Sequence, residues 1–254
     1  LRLIDKRIID IEAPNILIAG CGTGQQSIYV ASTFKNAKIL SVDLSLSSLA
    51  YAKRKTNELG IQNIDYMQAD ILDLSKLNRK FDIIYCSGVL HHMDQPMAGW
   101  RSLINCLEEG GLMNIGLYSN LARQHIVKIR REIKQLGIGS DDDVIRSFRR
   151  DLINSGEEHH KKIRRSYNFY SLSEIRDLLF HVREHRFTIP EIKDCLAELN
   201  IEFCGFGSDV ILRDFKQVYS EEADLYNLEK WNQFEEVNQN AFMTMYQFWC
   251  QRLD

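Results

Sequence analysis

Gly20, Cys21, Gly22, Thr23 and Gly24 follow the aliphatic run Ile16-Leu17-Ile18-Ala19 and precede an amphipathic stretch from Gln25. That order reads strand, tight turn, helix. Glycines at 20 and 22 let the backbone turn sharply and approach a ligand that a Cβ would exclude. The helix behind the turn presents free N–H groups to that ligand. The chemistry this implies is binding of an adenosine-containing cofactor. A dinucleotide fingerprint needs its third glycine where this chain has Gln25.

Two carboxylates recur at matching places. Asp43 ends the run Ile39-Leu40-Ser41-Val42, with Leu44 behind it, and a carboxylate there can accept two hydrogen bonds from ribose hydroxyls. Capping of the next helix by Asp43 or Ser45 is compatible with that role. Asp70 follows Tyr66-Met67-Gln68-Ala69; its side chain suits the exocyclic amine of adenine, with Ile71 covering the ring. A fourth run, Phe81-Asp82-Ile83-Ile84-Tyr85-Cys86, leads into Ser87-Gly88-Val89-Leu90-His91-His92. Ligands sit outside the carboxyl ends of strands in parallel sheets, so the Cys86–Ser87 end should line the reactive part of the cofactor. His91 or His92 could act there as a general base near neutral pH, or cap and pack the helix that follows.

These residues need a sheet to position them. Strands are expected at 15–19, 38–42, 63–68, 81–86 and 111–118, and helices at about 24–34, 46–59 and 95–107. The alternation predicts an α/β fold, a parallel sheet with helices on both faces. Pro14 precedes the first strand, Pro96 opens a helix, and Pro190 falls in the first turn of another. After Tyr118 the rhythm turns helical to about residue 199. Ile126, Ile129, Ile133 and Leu136 form an apolar stripe, and Asp141-Asp142-Asp143 marks a helix start. Ser171-x-x-Glu174 and Thr188-x-x-Glu191 both fit capping boxes. The basic pairs Arg130-Arg131, Arg149-Arg150, Lys161-Lys162 and Arg164-Arg165 read as a solvated face. Strand signals return at 200–206, a more acidic helical section covers 209–237, and 241–251 reads as a last strand. The expected division is a core at 1–120, a helical lid at 121–199 and the rest of the core at 200–254. Tyr118, Arg123, Tyr170 and His181 are the lid's candidate substrate contacts, Arg123 suiting an acidic group. His181 and His185, four apart, should share a helical face; without further ligands or an H-E-x-x-H order, no metal is expected.

Bulk properties narrow the classes. The chain has 254 residues and a formal net charge of −3, so bulk attraction to nucleic acid is not expected. No apolar run is long enough for a bilayer, and no signal peptide is evident. Six scattered cysteines without a C-x-x-C pair read as reduced core residues of a cytoplasmic protein. The start at Leu1 suggests a fragment of a longer polypeptide.

Together the glycine loop, the acidic end of strand two, Ala69-Asp70-Ile71, and Phe81-Asp82-Ile83-Ile84 with Leu90-His91-His92 resemble the motifs of class I S-adenosylmethionine-dependent methyltransferases. Glu109-Gly110-Gly111-Leu112 resembles the turn before that family's fifth strand. The resemblance implies S-adenosylmethionine as cofactor and a Rossmann-like seven-stranded sheet of order 3-2-1-4-5-7-6, its last strand antiparallel. Gly116-Leu117-Tyr118-Ser119, the run Asp177 to Thr188, and Met245-Tyr246-Gln247-Phe248-Trp249 resemble bacterial methyltransferase domains often fused to tetratricopeptide repeats, which implies such a region before residue 1. The expected reaction is methyl transfer to an oxygen or nitrogen of an unidentified acceptor, a protein side chain or a small acidic metabolite. An NAD(P)-dependent oxidoreductase and a non-catalytic S-adenosylmethionine-binding domain are the alternatives.

Overall fold

The protein is seen in a computed structural model that describes residues 1–181 and 183–253, the side chain of Tyr167 excepted. Seven strands, β1 (Asn15–Ala19), β2 (Lys38–Asp43), β3 (Ile64–Gln68), β4 (Phe81–Ser87), β5 (Leu107–Leu117), β6 (Ile201–Phe206) and β7 (Tyr246–Arg252), form one sheet of order 3-2-1-4-5-7-6. The first five are parallel, and β7 runs antiparallel between β5 and β6. Both the order and the reversed last strand are as expected.

Strand alternation decides which side chain meets which layer. Leu17, Leu40, Ile84 and Met113 bury one face. Against it lie α3 (Pro96–Asn105) through Trp100 and Leu103, α8 (Ile189–Glu198) through Ile192 and Leu196, and α10 (Leu228–Val237) through Trp231 and Phe234. Ile16, Ile18, Ile39 and Ile83 bury the other face against α1 (Gln25–Thr33) and α2 (Leu46–Glu58). Each large apolar side chain enclosed this way contributes roughly 1.5–3 kcal/mol. A further helix, α9 (Asp209–Lys216), follows β6 and puts Phe215 on the Trp231 ring, centroids 3.7 Å apart. All six cysteines are free, and five are buried. Among the described residues no helix is long and apolar enough to cross a membrane.

Two expectations shift. The turn at Glu109–Leu112 is a bulge inside β5, not a loop before it: Gly110 has φ +76° and the pairing register with β4 jumps between Phe81 and Ile83. The helical section also divides. Helices α4 (Gln124–Leu136), α5 (Asp142–Asn154), α6 (Glu158–Ile163) and α7 (Leu172–Phe180) enclose their own core of Ile126, Ile129, Phe148, Leu152, Phe169 and Leu179. Helix α8 instead packs on the sheet, so the insertion closes near Phe187 and not at 199. It leaves from the end of β5 and returns beside it: Phe187 N–H donates to the Tyr118 carbonyl and Asn120 N–H to the Phe187 carbonyl, each 2.8 Å.

The helix starts also separate two similar motifs. Thr188 and Glu191 form the reciprocal capping box of α8. Ser171 stands at the N-cap of α7 without capping it; its hydroxyl pairs with Ser173 at 3.0 Å.

Candidate active site

The carboxyl ends of β1, β2, β3 and β4 come level, Val42 opposite Ala19 and Asp43 opposite Gln68. The strand order reverses between β1 and β4, where such sheets open a crevice for ligands. The glycine loop sits at that crevice. Gly20 and Cys21 donate to the Val42 carbonyl at 2.8 and 2.9 Å. Gly20 has φ +77°, and a Cβ there would lie 2.2 Å from a methyl of Val89 in the loop after β4. Gly22, at φ +51°, has nothing within 4 Å of a built Cβ, so one side of the loop is open to a ligand. Burial, reinforced by the Asp43 charge, pushes the Cys21 thiol up to about 12, which leaves it inert.

Asp43 does more than wait for a ribose. Its Oδ2 accepts from Gly22 N–H at 2.7 Å and its Oδ1 from Ser45 N–H at 2.8 Å. The carboxylate therefore fixes the glycine loop and leads into α2, which Ser45 caps through Ser48 N–H. Each carboxylate oxygen keeps a second lone pair for a ligand hydroxyl. Leu44 is 66% exposed beside it. Asp70 accepts from Leu72 N–H with Oδ1, Ile71 is buried below, and Ser102 donates to the Ile71 carbonyl. Cys86 is fully enclosed in the β4–β5 ladder, opposite Ile115. Ser87 at the strand end reaches Met245 Sδ at 3.2 Å. Thr23 lies in the same turn between Gly22 and Gly24.

Beyond β4 the histidines meet the insertion. The His91 ring is fully buried, stacks on Tyr118 with centroids 3.7 Å apart, and among the described residues has no hydrogen bond of good geometry at either nitrogen. Burial, with the charges of His92 and Arg123, drives its pKa down to about 2. His92 contacts His91, Tyr118 and His181, with ring centroids 4.4, 5.7 and 4.0 Å away. Burial lowers its pKa, while a bond to the Arg183 carbonyl works the other way. Tyr118, His91, His92 and His181 thus form one cluster across the β4 loop and the insertion.

The remaining candidates fare differently. Arg123 lies over the Tyr118 ring at 3.6 Å, but it is 4% exposed and its guanidinium grips Glu184 at 2.7 and 3.2 Å. It is not presented to an acidic ligand; it supports Tyr118. Burial would raise the Glu184 carboxyl, yet the Arg123 bond and the charges of Arg123, Arg130 and Arg186 hold it below the usual range. Among the described residues Tyr170 bonds only insertion groups: its hydroxyl donates to the Arg164 carbonyl and its own carbonyl accepts from Arg149. His181 and His185 share no helical face, because α7 ends at Phe180. Instead His181 turns to His92, and His185 N–H donates to the His91 carbonyl at 2.8 Å.

Several of these residues carry no local signal. Glu184 sits in a charged run that reads as surface. Glu235 is detectable in principle, since it shares the apolar stripe of Trp231 and Phe234 on α10. It is wholly buried and accepts from Ser119 and Tyr246, each at 2.6 Å. Burial raises its pKa against the pull of those two bonds.

Residues 16–111 match the family described as methyltransferase domain. An uncharacterized protein of Synechococcus is 29% identical over 203 residues, 76% of this chain and 48% of its own length. Malonyl-[acyl-carrier protein] O-methyltransferase 1 of Ilyobacter polytropus is 28% identical over 106 residues, 42% of this chain and 38% of its own. In structure, PKMT2 from Rickettsia typhi in complex with AdoHcy superposes with a TM-score of 0.65 at 17% identity, over 94% of this chain and 48% of that one. The chain spans about half the length of these relatives or less. The family match over residues 16–111, the strand order and the glycine loop held by Asp43 support a class I S-adenosylmethionine-dependent methyltransferase.

Proposed function

We propose that this chain transfers a methyl group from S-adenosylmethionine to an oxygen or nitrogen nucleophile, with a protein side chain as the favoured acceptor class over a small acidic metabolite. One observation carries the reading. The glycine loop, clamped by Asp43, opens at the same strand ends as the Tyr118–His91–His92–His181 cluster. Gly20 to Gly24, Asp43, Leu44, Asp70, Ile71 and the Cys86–Ser87 backbone would hold the cofactor, which supplies an electrophilic methyl on its sulfonium.

What the chain must then do is aim a nucleophile, an effect worth about 7–11 kcal/mol when the approach is in line. A neutral amine or a carboxylate needs aim and desolvation more than a base. With its pKa near 2, His91 is a poor proton acceptor but a good neutral hydrogen-bonding group, so it reads as an orienting residue. His92 has one ring nitrogen committed to the Arg183 carbonyl, so it too reads first as a group that holds the cluster in place.

The acceptor class follows from charge. Residues 121–187 carry 15 Lys and Arg against 10 Asp and Glu, while the rest of the chain carries 17 against 25. Arg123 cannot supply a local carboxylate site, because Glu184 holds it. Cationic charge lies instead around an open cavity of about 290 Å³ bordered by Lys128, Lys162, Arg165 and Met243. A spread-out cationic surface suits an acidic polypeptide better than a small metabolite. Six unpaired thiols are in keeping with a cytoplasmic setting.

The test is calorimetric titration with S-adenosylmethionine and with NADH, followed by labelling of extract fractions with methyl-labelled cofactor. Binding of the first alone and label in an acidic protein are expected. Selective NADH binding supports the oxidoreductase reading, and cofactor binding without any labelled product supports a non-catalytic domain. The double variant His91→Ala, His92→Ala at full turnover removes base catalysis by either ring.

A further inference from the structure

We infer that His92, Asp177 and His181 form a binding site for a divalent transition-series cation such as zinc, which clips the insertion to the loop after β4. One ligand atom from each of the three lies within 4.8 Å of the others. They come from separate elements: His92 from the β4 loop, Asp177 from α7, and His181 from the residue that ends α7.

The surroundings prepare both rings. His92 Nδ1 lies 2.9 Å and His181 Nδ1 2.7 Å from the same acceptor, the Arg183 carbonyl. A ring that donates from Nδ1 to a carbonyl carries its lone pair on Nε2, the arrangement found behind metal-binding histidines. Arg183 N–H also approaches His181 Nδ1, at 3.2 Å, but the carbonyl is nearer. The His181 carbonyl is held in turn by Arg130, and the Arg183 side chain turns away to Asp94. Asp177 has no hydrogen bond or ion pair among the described residues, so its carboxylate faces the two rings uncommitted. Its charge and that of Glu184 both bear on His92 and favour a cation there.

Two imidazoles and one carboxylate are an ordinary donor set for zinc or for other late divalent ions, leaving a position for water. A second group, Glu132 with His159 and His160, is less suited. Glu132 already bonds both rings directly, at 2.5 and 2.7 Å, and Lys128, Lys161, Lys162 and Arg165 border that region. The inference goes beyond methyl transfer and does not depend on it.

The experiment titrates the chelator-treated chain with Co²⁺, read by its visible d–d absorption, then displaces it with Zn²⁺. One equivalent should bind. Asp177→Asn, an exposed position that cannot disturb folding much, and His181→Ala should each weaken Co²⁺ binding by about tenfold or more, with unchanged affinity for S-adenosylhomocysteine as the check of an intact fold. His159→Ala should bind Co²⁺ as the parent does. Absence of the absorption bands overturns the inference. So does retention of binding in the Asp177→Asn, His181→Ala double variant, or its loss in His159→Ala, which would put the cation at Glu132.

Discussion

The two sides of the cleft are built by different means. On the cofactor side, backbone groups and near neighbours do the positioning: Gly22, Asp43 and Ser45 are joined within 24 residues of chain. On the insertion side, the groups that meet are far apart in sequence. Arg123 finds Glu184 61 positions away, and His92 finds the Arg183 carbonyl 91 positions away. The first side needs a correct turn; the second needs a whole domain to fold and dock. Changes to either should therefore fail differently.

The largest expected effect is at Glu184. Its side chain is 1% exposed and faces Arg123, Arg130 and Arg186. Glu184→Ala leaves the Arg123 charge buried without a partner, a loss of about 3–5 kcal/mol. Denaturant unfolding should show it, and hydrogen exchange should rise in 121–187 while β1 to β3 stay protected. Equal exchange in both regions would mean that the two sides are one cooperative unit.

Next come the loop residues. Gly20→Ala should abolish cofactor binding, because Val89 occupies the space of the new Cβ. Asp43→Ala strands the Gly22 and Ser45 donors, a loss of about 1–3 kcal/mol, and should weaken S-adenosylmethionine by at least tenfold in calorimetry. Unchanged affinity in Asp43→Ala would end the assignment of that carboxylate to the cofactor.

A smaller effect follows from protons. His91 and His125 are held neutral by burial, down to about 2 and about 4. Below the ordinary value of about 6.5 the unfolded chain binds protons that the native one refuses. The stability is thus fully present above about 6.5 and falls with pH, by up to about 1.4 kcal/mol per unit for each ring. The His125 contribution ends near 4 and that of His91 continues toward 2. Melting curves between pH 7.5 and about 5 should show the decline, and His125→Leu should roughly halve it, the His91 share remaining.

The smallest contrast is in two helix starts that look alike in sequence. Thr188→Ala should cost about 1 kcal/mol, whereas Ser171→Ala should leave thermal unfolding nearly unchanged, since the Ser171 hydroxyl bonds only to Ser173 among the described residues.

That contrast marks what the sequence could tell. Local rules set the strands, the glycine turn and the Asp43 and Asp70 strand ends, because each depends on residues a few places apart; the reversed last strand came only with the family resemblance, since β7 pairs with β5 about 130 residues away. The same rules misplaced the end of the insertion, since an apolar helix such as α8 carries no label for the layer it will join. They put His181 and His185 on one helix because spacing alone cannot show that α7 stops at Phe180. They offered Arg123 to a substrate because its partner, Glu184, lies in a run of charges that nothing nearby marks as buried. Glu235 alone left a trace, a carboxylate on an apolar stripe.

The paired bonds between Tyr118, Asn120 and Phe187 have a consequence for descent and engineering. The segment they enclose departs and rejoins the sheet at adjacent points, about one strand spacing of 5 Å apart. Swapping it for another of any length leaves the frame of β1 to β7 undisturbed, as the ends need only span that gap.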